Sequence, residues 1–121
     1  MSVWVWAAVA GVGGLGATLR FLLDGAIGRR TQRDFPLGTL TVNLSGAFVL
    51  GLLTGLALEG DALLIAGTAT IGSFTTFSTW MLETHRLAED GDLPAAAVNI
   101  VLSLVAGVAA AALGRLIGGQ L

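Results

Sequence analysis

Apolar residues dominate this chain in four long runs: Met1–Leu19, Pro36–Leu58, Ala62–Leu82 and Leu93–Gly114 contain no charged residue. Each has about the 20 residues that a helix needs to cross a hydrocarbon core. The pattern therefore predicts four membrane-spanning helices in one domain, residues 1–121, an all-α integral membrane fold set in a lipid bilayer. The first run lacks a basic flank and is read as a span rather than a signal peptide, with a glycine-rich turn leading into Arg20 and Phe21. Charged residues gather between the runs: Arg29, Arg30, Arg33 and Asp34, then Glu59 and Asp61, then Glu89, Asp90 and Asp92. Pro94 suits the first turn of the fourth helix. Short connections make neighbouring helices antiparallel.

The third run departs from plain greasiness. Gly72 is followed by Thr75, Thr76, Ser78 and Thr79, interleaved with Phe74, Phe77 and Trp80. Polar or irregular backbone at membrane depth persists only where protein covers it or it lines a wet cavity. This segment predicts the working part of a transport pathway. Polar residues elsewhere recur at helical spacing: Thr39 and Asn43, with Gly46 beyond them, in the second span; Asn99 and Ser103, with Gly107, in the fourth. In the third, Thr76, Phe77, Trp80, Glu83 and Thr84 form a stripe. A lone hydroxyl in a membrane helix usually bonds back to its own backbone, but an asparagine amide has two donors that need partners. Aligned tracks on three helices favour a pathway over helix–helix adhesion.

Composition narrows what would travel there. Hydrophobic residues make up 55% of the chain and charged residues 12%, with a mean hydropathy of +0.85, a composition that argues against a soluble domain. There is no cysteine and no lysine, and no basic stripe of the kind that binds nucleic acid. Hydroxyl and amide donors with aromatic ring edges, and no ring of mid-span carboxylates, suit a small anion. Glu83 is placed at the mouth of the path, as a vestibule hydrogen-bonding residue or a solvated helix end. His85 has no catalytic or metal partner at useful spacing and is read as a surface residue. The positive-inside rule weakly places the first and third loops in the cytoplasm, through Arg29, Arg30, Arg33 and Arg86 against Arg115.

Two glycine patterns need separate treatment. Gly11-Val-Gly13-Gly14-Leu-Gly16, with Asp34 downstream, matches a dinucleotide fingerprint, but no strand–turn–helix context surrounds it, so a nucleotide cofactor is rejected. Gly51-x-x-x-Gly55 and Gly114-x-x-x-Gly118 allow close helix approach, either within one chain or at a dimer contact. Four short helices do not easily enclose a pore alone, which predicts oligomerisation.

Three segments together resemble the signature of the Fluc (CrcB) fluoride channels: Gly13–Phe21, Gly38–Gly46 and Gly72–Thr79, in that order and over nearly the whole chain. The resemblance implies an antiparallel, dual-topology homodimer (or a pair of sister chains) in the cell inner (plasma) membrane. It also implies passive fluoride export that protects the cell from fluoride toxicity, with no enzymatic activity. A structural sodium ion, not transported, would be held at a break in the third helix by backbone carbonyls of Gly72 and Thr75, again as the resemblance implies. The fluoride pathway would take in Asn43, Phe77, Trp80, Asn99 and Ser103, together with Thr39, Thr76 and Glu83 from the tracks; Arg20 falls in the first segment as a vestibule or structural residue.

This chain departs from the family at Trp80, where phenylalanine is usual, at Ser73 in place of a second glycine, and at Gly107, where some members carry a hydroxyl. The indole N–H of Trp80 is expected to hold fluoride more tightly than a phenyl ring, slowing its release. The alternative is that it packs against a neighbouring helix with that N–H on a backbone carbonyl. Competing functions were a small multidrug exporter, which would need an acidic residue within the first span, and a helix-packing subunit without transport, against which the hydroxyl-rich third span argues.

Overall fold

The computed structural model describes residues 2–31 and 35–121, all side chains but those of residues 31, 69 and 70 included. The elements are α1 (Val3–Thr31), α2 (Leu37–Gly55), α3 (Gly60–Leu63), a π-helical stretch Leu64–Ile71, α4 (Gly72–Phe74), α5 (Ser78–Glu89) and α6 (Leu93–Gly118). No strand occurs among the described residues. Among the described residues, four helical segments are long and apolar enough to cross a membrane: Val3–Arg30, Leu37–Gly55, Gly60–Glu89 and Leu93–Gly118.

Helix α1 runs on past Arg20 and Asp24, so the turn expected before Arg20 is absent and the glycines from Gly11 to Gly16 are helical. The intrahelical bonds of a continuous α-helix tolerate these glycines because lipid offers the backbone no competing partner. Arg29 and Arg30 lie in its last turn rather than in a loop, where cations complement the helix dipole. Arg33 and Asp34 lie outside the described residues. The dinucleotide-like glycines, being inside a helix, have no strand–turn–helix around them.

Reversals between spans use residues suited to them. Gly60 and Gly91 adopt φ of 61° and 84°, a left-handed conformation that glycine takes without a Cβ clash. Asp92 caps α6 by accepting a hydrogen bond from the Ala95 N–H at 3.2 Å, and Pro94 sits in the first turn.

Helices α2 and α6 pack against each other more extensively than any other pair. Their glycines make this possible: a Cβ on Gly51 would strike the Ala111 carbonyl, and one on Gly114 would strike the Phe48 carbonyl. Gly55 and Gly118 meet backbone of the opposite helix in the same way. Both small-xxx-small patterns thus serve packing within one chain.

The interior is correspondingly narrow. Among the described residues, Val42 and Asn99 are the large side chains that are fully enclosed, while Leu15, Phe21 and Val108 are 64–75% exposed. An exterior this apolar fits lipid or a second protein surface, not water.

Candidate functional site

The third span is not one regular helix. Its first half is π-helical, a form enriched at functional sites. α4 ends at Phe74, Thr75 is extended (φ −83°, ψ 161°), and helix resumes at Ser78. Thr75 folds back, its N–H and its hydroxyl each donating to the Ile71 carbonyl at 2.9 Å.

Helix α2 grips this interruption along one side. The Asn43 amide donates to the Thr76 carbonyl at 2.9 Å and accepts from the Thr76 N–H at 2.8 Å. One turn earlier, buried Thr39 donates its hydroxyl to the Glu83 carboxylate. One turn later, Gly46 lets the Thr75 methyl lie against α2, where a Cβ would collide with it. Thr39, Asn43 and Gly46 are therefore the face that fits α2 to the third span. Thr76 also opens α5: its hydroxyl accepts the Thr79 N–H at 3.2 Å, the role of a helix cap.

These bonds change the state of two carbonyls. In a continuous helix the Thr76 N–H would bond to the Gly72 carbonyl, and the Thr79 N–H to that of Thr75. Both N–H groups are spent instead on side chains, those of Asn43 and Thr76. The oxygens of Gly72 and Thr75 are thereby released from their helical donors. A Cβ at Gly72 would meet nothing within 4 Å, so the backbone there is open. Carbonyl oxygens suit a hard cation. Among the described residues, no three His, Cys, Asp or Glu side chains gather as a metal site, so a cation held here would rely on the backbone.

The fourth-span track is tied to α5. Asn99, 1% exposed, donates to the Thr84 hydroxyl at 2.8 Å, and Thr84 donates to the Trp80 carbonyl at 2.8 Å. The circuit closes where the Trp80 indole N–H donates to the Asn99 carbonyl at 3.2 Å. The expectation that this N–H would offer itself to an anion gives way, because it already has a strong acceptor within the chain. Much of the polar tracks is thus spent on joining helices, which a bare spacing pattern could not distinguish from a lined path. What stays available is narrower: the second N–H of Asn43, the Phe77 ring and the Ser103 hydroxyl, which is buried without a hydrogen-bond partner. A Cβ on Gly107 would meet nothing within 4 Å, and the residue adds no polar group.

Phe77 is 70% exposed and meets Trp80 edge to face, with centroids 5.6 Å apart at 82°. A groove of about 290 Å³ brings Asn43, Thr75, Thr76, Phe77 and Trp80 together. Glu83 lies with Arg86 and Asp90 around a separate hollow of about 280 Å³. Arg20 is half-buried in α1 and forms no ion pair among the described residues. His85 pairs with Glu89 at 2.7 Å on an exposed helix face.

Sequence reading missed Asp24. Its carboxylate packs on Gly38 in the first turn of α2, so closely that a Cβ there would collide with it, and an acid is favourable at a helix N-terminus. The available signal was the absence of any helix-ending residue between Leu19 and Asp24.

Together these features define a multi-pass membrane protein whose polar contacts concentrate around an interrupted third span. A sequence model described as "CrcB-like protein, Camphor Resistance (CrcB)" matches residues 7–115, and the chain belongs to that CrcB family. It is 60% identical over 114 residues to the Fluoride-specific ion channel FluC 2 of Mycolicibacterium paratuberculosis, covering 94% of this chain and 93% of that one. It is 56% identical over 115 residues to the protein of that name from Mycobacterium bovis, covering 95% and 91%. A more distant relative, Fluoride-specific ion channel FluC 1 of Symbiobacterium thermophilum, is 42% identical over 119 residues, 93% and 96% of the two chains.

Proposed function

We propose that this chain is a fluoride channel that lets cytoplasmic fluoride leave by passive diffusion and so protects the cell from fluoride toxicity. The names of its relatives support the cargo. Within the chain, the observation that carries the reading is the groove that joins the Asn43 amide to the Phe77 ring beside the interruption. An amide N–H and a positive ring edge replace part of an anion's hydration without a countercharge that would trap it. Hydrogen fluoride enters as a neutral acid and dissociates inside. A negative-inside potential then drives the anion outward with about 2.3 kcal/mol per 100 mV. The location that gives this sense is the inner (plasma) membrane.

The groove opens to one side, and four short helices do not enclose a pore, so the working unit is an antiparallel dual-topology dimer of this chain or of two sister chains. The carbonyls of Gly72 and Thr75, freed from their helical donors, would hold a structural sodium ion. When bound it supplies positive charge that holds these oxygens together. Asn43 and Thr76 prepare the site by diverting the N–H groups that would otherwise occupy both oxygens.

Liposomes containing the purified protein test the cargo: fluoride efflux with little chloride efflux is expected, and equal rates for both ions would sink the reading. Exhaustive sodium removal should abolish the flux. Single-cysteine labelling should find both membrane orientations, whereas a single orientation with parallel cross-links would refute the dimer proposed.

A further inference from the structure

An even number of spans puts the start of α1, the reversal around Gly60 and the end of α6 on one side of the membrane. Two features mark the headgroup level there. Trp4 and Trp6, at the start of α1, are 82% and 58% exposed, and tryptophan collects at the membrane–water interface. Arg115 stands exposed in the last turn of α6, from where a long cationic side chain reaches that interface. Among the described residues its guanidinium forms no ion pair.

Below Arg115 the surface is hollowed. A groove of about 390 Å³ between α2 and α6 is lined by Leu50, Thr54, Val108, Ala111, Ala112 and Arg115. Thr54 donates its hydroxyl to the Leu50 carbonyl at 2.9 Å, so no free donor remains in the groove except the guanidinium. A second hollow of about 660 Å³ continues past Ala112 and Arg115 to Leu116, Gly119 and Gln120. One cation thus stands at the junction of an aliphatic groove and the aqueous edge.

We propose that Arg115 and this groove bind an anionic phospholipid, with its phosphate on the guanidinium and an acyl chain along Leu50, Val108 and Ala112. The inference goes beyond the channel reading and needs only that the chain lies in a bilayer. A guanidinium presents paired N–H donors in the geometry of phosphate oxygens, and basic pockets between membrane helices take such headgroups. A zwitterionic lipid would add an ammonium group, for which the lining supplies no carboxylate. A net negative headgroup is the better complement. A second copy meeting this face with its own α2 and α6 would bring no acid to Arg115, because neither helix contains one.

The test is native mass spectrometry of the full-length protein titrated with phosphatidylglycerol or phosphatidylcholine, with the oligomer mass read in the same spectra. Phosphatidylglycerol should bind the more tightly. Arg115→Gln should weaken it by about tenfold, the order expected for a hydrogen bond to a charged group, and leave phosphatidylcholine unchanged. Arg115→Lys keeps the charge but loses the fork, and should fall between the two. Ala112→Trp fills the groove at an exposed residue without touching the charge, and should also weaken phosphatidylglycerol. Arg30→Gln removes the same charge in the last turn of α1, on the opposite side, and should change nothing. Undiminished phosphatidylglycerol binding by Arg115→Gln would overturn the proposal. Equal losses in Arg115→Gln and Arg30→Gln would do so too, by reducing the effect to general surface charge. Phosphatidylcholine bound as tightly as phosphatidylglycerol would refute the anionic headgroup. If Ala112→Trp separated the oligomer and left lipid binding intact, the groove would belong to a second copy and the lipid site would be refuted.

Discussion

Asn43 holds Thr76 by both ends of its amide, Nδ2 to the carbonyl at 2.9 Å and Oδ1 from the N–H at 2.8 Å. A residue outside regular helix thereby finds donor and acceptor in a side chain, as membrane depth requires. Asn43→Ala would leave two backbone groups unpaired, each at a cost of about 1–3 kcal/mol. We expect a clear loss of melting temperature together with loss of flux. Asn43→Asp keeps the acceptor but sets a carboxylate oxygen against the Thr76 carbonyl, and should be at least as damaging. An Asn43→Ala protein that melts like wild type would refute the clamp.

Helices α2 and α6 touch backbone to backbone at their glycines. Gly51→Ala and Gly114→Ala each place a methyl group against a carbonyl oxygen that cannot rotate away. Overpacking of this kind costs about 1–3 kcal/mol. Gly107→Ala is the control: the same helix as Gly114, the same chemical change, and nothing within 4 Å of the added methyl. Denaturation in detergent should rank Gly107→Ala near wild type and the other two well below it. Equal behaviour of all three would contradict the packing.

The four spans were legible because lipid demands long apolar runs, and the polar cluster around Thr75 stood out against them. What the polar cluster does was less legible. Spacing placed Thr39, Asn43, Asn99 and Thr84 on faces, but it could not tell a donor aimed at an ion from one bonded to the next helix. The length of α1 was also misjudged, since a charged residue was taken as the limit of a span, and Asp24 went unnoticed. The Trp80 N–H was read from the side chain alone; its acceptor is a main-chain oxygen nineteen residues later, for which a sequence carries no mark.

The start of α6 depends on a single capping bond. Asp92 accepts from the Ala95 N–H at 3.2 Å, and losing such a cap costs about 1 kcal/mol. Asp92→Ala should lower the melting temperature modestly and leave fluoride flux per folded protein unchanged. Asp92→Asn retains an acceptor oxygen and should sit close to wild type. A neutral Asp92→Ala would show that the packing of α6 on α2 sets its start without help from the cap.

Phe77 presents a ring that the single chain hardly uses: it is 70% exposed, and Trp80 meets it edge to face at 5.6 Å. Its removal should therefore cost the fold of one chain little, about the 0.5–1.5 kcal/mol of an aromatic pair. In the channel reading, however, its ring edge faces the ion beside the Asn43 amide. Phe77→Ile keeps an apolar side chain and loses that edge, so we expect most of the fluoride flux to disappear while the protein still folds. An exposed phenylalanine can also be a contact for a second chain, and the two roles separate cleanly. If Phe77 serves the ion, Phe77→Ile elutes as a dimer on gel filtration and fails in efflux. If it serves the interface, the dimer weakens first and flux falls in proportion to it. Unchanged efflux from a stable dimer would remove Phe77 from the pathway altogether.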